Sequence, residues 1–245
     1  MTSQTLIGKT AMVTGGARRI GREIALELAA AGADITLTFR HSKTEAEHTL
    51  QLIQQLGRNA IAMECDVRSE QSVRSAIAAS VKFHGRLDVL VNNAAIFESA
   101  PLDQLSLDQW DAVFETNARG PFLVAREALP HLRASHGRII NIGSLGGLRP
   151  WAAHAHYCAS KAALHMLTQA MAKAFAPAVT VNCVAPGWID LGDGDAQEAA
   201  QRFDAKTPMQ RNGTAKDIAR AVAFFATTGD FVTGQVLAVD GGLGL

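Results

Sequence analysis

Long apolar runs, net charge and cysteine are all scarce in this chain of 245 residues. No apolar stretch reaches bilayer-spanning length, and the opening MTSQTLIGKTAMVTGG lacks a basic region followed by an apolar core and a cleavage site. A cytoplasmic location without a membrane partner is therefore expected. Lys plus Arg and Asp plus Glu both number 23, so there is no overall positive field to gather nucleic acid, and no nucleic-acid partner is expected. Cys65, Cys158 and Cys183 are odd in number and far apart, which argues against a disulfide framework and against a zinc cluster. No metal site is expected. Cys158 adjoins Tyr157, but neighbouring helical residues point about 100° apart and no base is assigned to the thiol, so it is read as packing.

What is present is a core-forming composition, 48% apolar with 21 glycines, and a regular rhythm. Short apolar strands at 10–14, 35–39, 60–64, 88–94, 138–143, 179–185 and 235–240 alternate with helical patterns at 20–31, 43–56, 70–83, around 107–134, near 155–175 and at 215–228. Such alternation predicts an α/β fold, one doubly wound Rossmann-type domain over 1–245 with a largely parallel sheet. The polar, Gly/Asp-rich stretch at 188–212 follows the sixth strand. It reads as a surface loop or as a substrate-side lid, because ligands of such sheets lie beyond the strands' C-terminal ends.

VTGGARRIG at 13–21 runs from a strand into a helix, the context a dinucleotide-binding turn requires. Its glycines allow close backbone approach, and the helix start offers unpaired N–H groups to a pyrophosphate. The turn alone does not separate a ligand site from a tight βα connection. Asp34 lies near the spacing expected of a ribose-binding acid, but GADITLTFR puts it before the second strand, remote from the ligand crevice. Phe39 and Arg40 occupy the useful end. Arg40, helped by Arg18 or Arg19, suits a ribose 2′-phosphate, so NADP(H) is preferred over NAD(H) as cofactor.

The only tyrosine, Tyr157, stands four residues before Lys161 in YCASK. One helical turn puts both on the same face, where an ammonium favours the phenolate and makes the phenol a usable proton donor and acceptor. By itself such a pair would usually be surface decoration.

Taken together, TGGARRIG, NNAA at 92–95, Asn117 in ETNARGPF, Ser144 in INIGS, YCASK, Pro186–Gly187 and the terminal VDGG closely resemble the short-chain dehydrogenase/reductase family, across almost the whole chain. The resemblance implies a seven-stranded parallel sheet, a nicotinamide dinucleotide cofactor and a homotetramer. It implies a catalytic set of Asn117, Ser144, Tyr157 and Lys161. Ser144 would bind a substrate carbonyl oxygen that Tyr157 protonates, Lys161 would support the phenolate and contact ribose hydroxyls, and Asn117 would steady a water linked to that lysine. The cofactor set so implied begins with Gly15, Arg18, Arg19, Ile20 and Gly21 in the first turn and Arg40 and Ser42 after the second strand. It continues with Asp66, receiving the adenine amino group, and Val67, then Asn93 and Ala94, Tyr157 and Lys161, and finally Pro186, Gly187 and Ile189.

Three departures matter. NNAA ends in alanine where the family more often has glycine, Arg19 replaces another usual glycine, and Leu191 replaces a usual threonine near the nicotinamide amide. Arg19 with FRHS at 39–42 resembles the branch of pteridine reductases, whereas Ser144 with Tyr157 and Lys161 is similar to 3-oxoacyl-carrier-protein reductases and general ketone reductases. The expected activity is NADPH-linked exchange of hydride with a small-molecule carbonyl/alcohol pair. A pteridine reductase-like enzyme is the enzymatic alternative, and a noncatalytic nicotinamide-responsive regulator is the alternative of another class. Trp151, His154, His156 and Trp188 are candidates for the substrate wall, and Phe97 for a stacking surface.

Overall fold

The alternating segments assemble, in a computed structural model that describes residues 5–191 and 206–245, into a seven-stranded parallel sheet. Its strands are β1 (Thr10–Val13), β2 (Asp34–Phe39), β3 (Ala60–Glu64), β4 (Val89–Asn92), β5 (Arg138–Ile142), β6 (Thr180–Pro186) and β9 (Val236–Val239). The helices are α1 (Arg19–Ala30), α2 (Lys43–Gln55), α3 (Glu70–His84), α4 (Leu107–Phe114), α5 (Gly120–Ser135), α6 (Ala155–Phe175) and α7 (Ala215–Thr227). The strand order β3-β2-β1-β4-β5-β6-β9 makes this the doubly wound fold that the rhythm predicts. Winding reverses between β1 and β4, and that switch point opens the ligand crevice.

Every residue of β1 and β4 is buried, as parallel strands covered on both faces demand. On one face Ile24 and Leu28 of α1 pack with Ile218 and Val222 of α7. On the other, Ile77, Val124, Leu132 and Met171 join α3, α5 and α6. Each such large side chain contributes roughly 1.5–3 kcal/mol by leaving water. At the sheet's N-terminal edge Asp88 accepts bonds from Arg86 Nη2 (2.6 Å), Arg86 Nε (2.7 Å) and the Thr10 amide (2.9 Å), with Lys9 Nζ at 3.2 Å. Asp34 opens β2 at that same remote edge and accepts from the Asn59 amide at 2.9 Å.

The helix expected around 107–134 is not continuous. A capping box of Ser106 and Gln109 starts α4, and a π-helical turn, Glu115–Arg119, separates it from α5. The wider turn is held by tertiary contacts of Asn117, which a periodicity cannot register. The 188–212 stretch begins with a strand: β7 (Ile189–Asp190) pairs in parallel with β8 (Gly213–Thr214), which follows directly after the stretch. Residues 192–205 of the expected lid lie outside the described residues.

Candidate active site

The turn from β1 into α1 is built around contacts too close for side chains. A Cβ on Gly21 would stand 2.1 Å from the Gly15 carbonyl oxygen, so only glycine fits. Thr14 Oγ1 accepts the amides of Asn93 and Ala94 at 3.0 and 3.1 Å. The Asn93 amide group in turn donates to the carbonyls of Thr14 (2.9 Å) and Gly15 (3.0 Å). Asn93 thus staples the turn instead of pointing its amide at a ligand. Asn92 faces the sheet interior and donates to Asn141 Oδ1 at 2.8 Å. Arg19 adopts φ 52, the left-handed conformation that glycine takes freely and that costs an L residue about 1–2 kcal/mol.

The N-cap of α1, Arg18, is extended and makes no side-chain cap, and the first turn has no acidic residue. A helix N-terminus facing a cavity beside arginines is what an anionic pyrophosphate needs. That cavity encloses about 630 Å³. Gly15, Arg18, Arg19, Ile20 and Gly21 line it, as do Arg40 and Ser42 beyond β2. Asp66 and Val67 line it beyond β3, Asn93 and Ala94 beyond β4, and Pro186, Gly187 and Ile189 beyond β6. An elongated phosphorylated dinucleotide fits this donor set and this volume.

Asp66 lines the cavity already paired with arginines. Arg68 takes both its oxygens, Nε to Oδ1 at 3.0 Å and Nη2 to Oδ2 at 2.7 Å, and Arg40 Nε lies 3.6 Å away. The Arg68 fork holds the carboxyl down at about 2. The carboxylate thus organises two arginines at the nucleotide end of the cavity.

Across the crevice, α6 presents Tyr157, Lys161 and His165 at successive turns. Ser144 follows β5, accepts the Gly146 amide at 3.0 Å, and lines the cavity beside the Tyr157 phenol. Lys161 is 3% exposed and donates from Nζ to the Ile142 carbonyl at 2.8 Å. Its Nζ also sits 5.7 Å from the Tyr157 ring centroid. Burial pushes Tyr157 up to about 12, against the opposing influence of Ser144, and pushes Lys161 down to about 8.

Asn117 is fully buried and does not line the cavity. Its Nδ2 donates to the Ile96 carbonyl (3.0 Å) and Ser160 Oγ (3.2 Å), while its Oδ1 accepts the Ile96 amide (2.9 Å). The side chain therefore acts on the wall at Ile96, with no hydrogen bond to Lys161. His165 escaped the sequence reading, although its helical spacing from Lys161 was the available signal. Its Nε2 lies 3.4 Å from the Ser144 amide, and it fills the space that side chains at Gly143 and Gly147 would occupy. Burial and then Lys161 push its imidazole down to about 4, so it is neutral at ordinary pH.

Among the expected substrate-wall residues, Trp151 and Trp188 line the cavity together with Phe97 and Leu191. His154 stands behind Phe97, the rings stacked at 4.5 Å. His156 is fully buried, with Nε2 at 3.3 Å from Glu98 Oε1.

A parallel doubly wound sheet, a glycine turn at its switch point and a Ser/Tyr/Lys cluster across the crevice define a Rossmann-type dinucleotide-binding class. Residues 15–244 match the sequence family described as enoyl-(acyl carrier protein) reductase. The chain is 38% identical over 240 residues to the 3-oxoacyl-[acyl-carrier-protein] reductase FabG of Staphylococcus aureus, covering 96% of this chain and 98% of that one. It is 37% identical to the short-chain dehydrogenase/reductase FrzI of Cladobotryum, covering 98% and 97%. Among solved structures, a dehydrogenase/reductase from Sinorhizobium meliloti aligns with a TM-score of 0.92 at 42% identity, covering 99% and 97%. A blue fluorescent protein from a metagenomic library, solved in complex with NADPH, aligns at 0.90 and 40% identity, covering 98% and 99%. The chain belongs to the short-chain dehydrogenase/reductase family.

Proposed function

We propose that this protein is an NADPH-dependent oxidoreductase that interconverts a small-molecule carbonyl compound and its alcohol. The carrying observation is that Ser144, Tyr157 and Lys161 line one wall of the cavity, with the buried Lys161 Nζ 5.7 Å from the Tyr157 ring centroid. Ser144 binds the carbonyl oxygen, and Tyr157 transfers its phenolic proton to that oxygen. Lys161 faces the resulting phenolate. Asn117 positions the Ile96 wall. When bound, the nicotinamide supplies the hydride that the carbonyl carbon receives.

Arg40, directly beyond the last residue of β2, supports preference for the 2′-phosphorylated cofactor, with Arg18 and Ser42 beside it. Asp34 lies at the other end of β2 and offers no competing ribose ligand. The α1 N-terminus with Gly15, Ile20 and Gly21 would hold the pyrophosphate, and Pro186, Gly187 and Ile189 would lie on the nicotinamide side. Serine at 144, where pteridine reductases commonly carry aspartate, favours a carbonyl substrate over a pteridine. A cytoplasmic homotetramer is the assembly proposed, and an apolar groove of Phe122, Leu129, Leu167 and Met171 between α5 and α6 supports a subunit contact.

The test is NADPH oxidation across a ketone panel with wild type and Tyr157→Phe. The variant should bind NADPH normally and lose about 10²–10⁴-fold in turnover, the worth of a positioned acid. Unchanged turnover would remove Tyr157 from the chemistry. Tight NADPH binding without turnover in the wild type would favour the regulator.

A further inference from the structure

Among the described residues, the substrate end of the cavity is both aromatic and uncharged. In a chain with only 6% aromatic residues, Phe97, Trp151, Tyr157 and His154 converge there. Phe97 is 53% exposed and meets the edge of Tyr157 at 4.8 Å and 83°. Trp151 lies nearly parallel to Tyr157, 13° between planes and 6.4 Å between centroids. An exposed phenylalanine backed by a stacked imidazole is a flat surface offered to something else.

These walls are fixed before any ligand arrives. The Phe97 segment is fastened to the start of α6 by the Ala100 amide to the Ala153 carbonyl (2.9 Å), His154 Nδ1 to the Glu98 carbonyl (2.9 Å), and His156 Nε2 to the Glu98 carboxylate (3.3 Å). A preformed aromatic cleft binds a rigid ring with little ordering cost, whereas a flexible chain loses rotamer freedom there. Charge points the same way. Among the described residues, the cavity's charged side chains are Arg18, Arg19, Arg40 and Asp66 at the nucleotide end and Lys161, which is turned to the Ile142 carbonyl. Among the described lining residues, none beside Phe97 and Trp151 would pair with a carboxylate or phosphate.

We infer that the substrate is an uncharged ketone carried on a flat ring, an aryl or fused-ring ketone, and that Phe97 and Trp151 select it over aliphatic acyl thioesters. The inference rests on the carbonyl-reductase reading of this site. The experiment compares kcat/KM for 1-tetralone with kcat/KM for the N-acetylcysteamine thioester of 3-oxooctanoate, using NADPH and wild type, Phe97→Leu, Phe97→Tyr and Trp151→Leu.

Wild type should prefer tetralone, and each leucine variant should lower the tetralone-to-thioester ratio about fivefold, mainly through KM for tetralone, the worth of one ring-on-ring contact. Phe97→Tyr should keep the ratio. Because the ratio is taken within each enzyme, a loss of folded protein cancels. A wild-type preference for the thioester, or ratios unmoved in both leucine variants, overturns the inference and leaves the reductase reading intact. Absence of turnover with both substrates and across the wider ketone panel overturns the reductase reading, and this inference with it.

Discussion

Replacing Lys161 by methionine should make the ligand-free protein more stable while removing its activity. Burial moves the ammonium from an ordinary 10.5 to about 8. At about pH 7 that gap corresponds to roughly 3 kcal/mol of folding free energy forgone, at about 1.4 kcal/mol per tenfold. Methionine keeps the stem's volume and loses one hydrogen bond, to the Ile142 carbonyl, worth about 1 kcal/mol. The net gain is about 2 kcal/mol, or about 5 °C in Tm for a chain of this size. Because the folded-state value lies below the unfolded one, the unfolded chain binds the extra proton between them, and wild-type stability rises with pH across that window. The methionine advantage should therefore fall below about 1 kcal/mol near pH 9.5. Calorimetry of both proteins at the two pH values decides the matter. A lower Tm for Lys161→Met at neutral pH, or an advantage independent of pH, would refute the reasoning.

Asp88→Ala should destabilise by about 2–4 kcal/mol, because it strands the buried Thr10 amide and the Arg86 guanidinium; urea melts measure this. Burial pushes the Asp88 carboxyl up, but Arg86, Thr10 and Lys9 outweigh it and hold it below 3.8. Its contribution is therefore present above the unfolded value and lost as pH falls beneath it, so wild type and variant should converge in acid. Arg40→Ala should lower the NADPH-to-NADH ratio of kcat/KM about tenfold or more, the scale of one charge-assisted phosphate contact. An unchanged ratio would place 2′-phosphate recognition elsewhere. Gly21→Ala should weaken dinucleotide binding, read by NADPH fluorescence titration, and cost about 1–3 kcal/mol as its methyl displaces the Gly15 carbonyl.

Which features were legible from the sequence follows from how local their causes are. β1 and β4 announce themselves because doubly covered parallel strands are continuous apolar runs, and Arg40 was preferred over Asp34 by asking which end of β2 each occupies. The π-helical turn at 115–119 was not legible, since it is held by Asn117 reaching Ile96, 21 residues earlier in the chain. Periodicity put Tyr157 and Lys161 on one face but carried no information about depth, and depth decides the direction in which their protons are held. The pairing of Asp66 with Arg68 was not legible either: Arg68 is two residues away, and whether a neighbour folds back onto a carboxylate depends on the turn between them.

The two-residue ladder of Ile189–Asp190 with Gly213–Thr214 acts on the chain between as a clasp. Its strands stand about 5 Å apart, so the two ends of the chain between are held together whatever its composition. Closure entropy grows only slowly, about 0.6 kcal/mol for each doubling of length. The segment is therefore an exchangeable cassette. Natural drift or a library can lengthen or rewrite it while the sheet, the glycine turn and the Ser144–Tyr157–Lys161 cluster stay as they are, which makes this the place to seek new selectivity at little risk to folding.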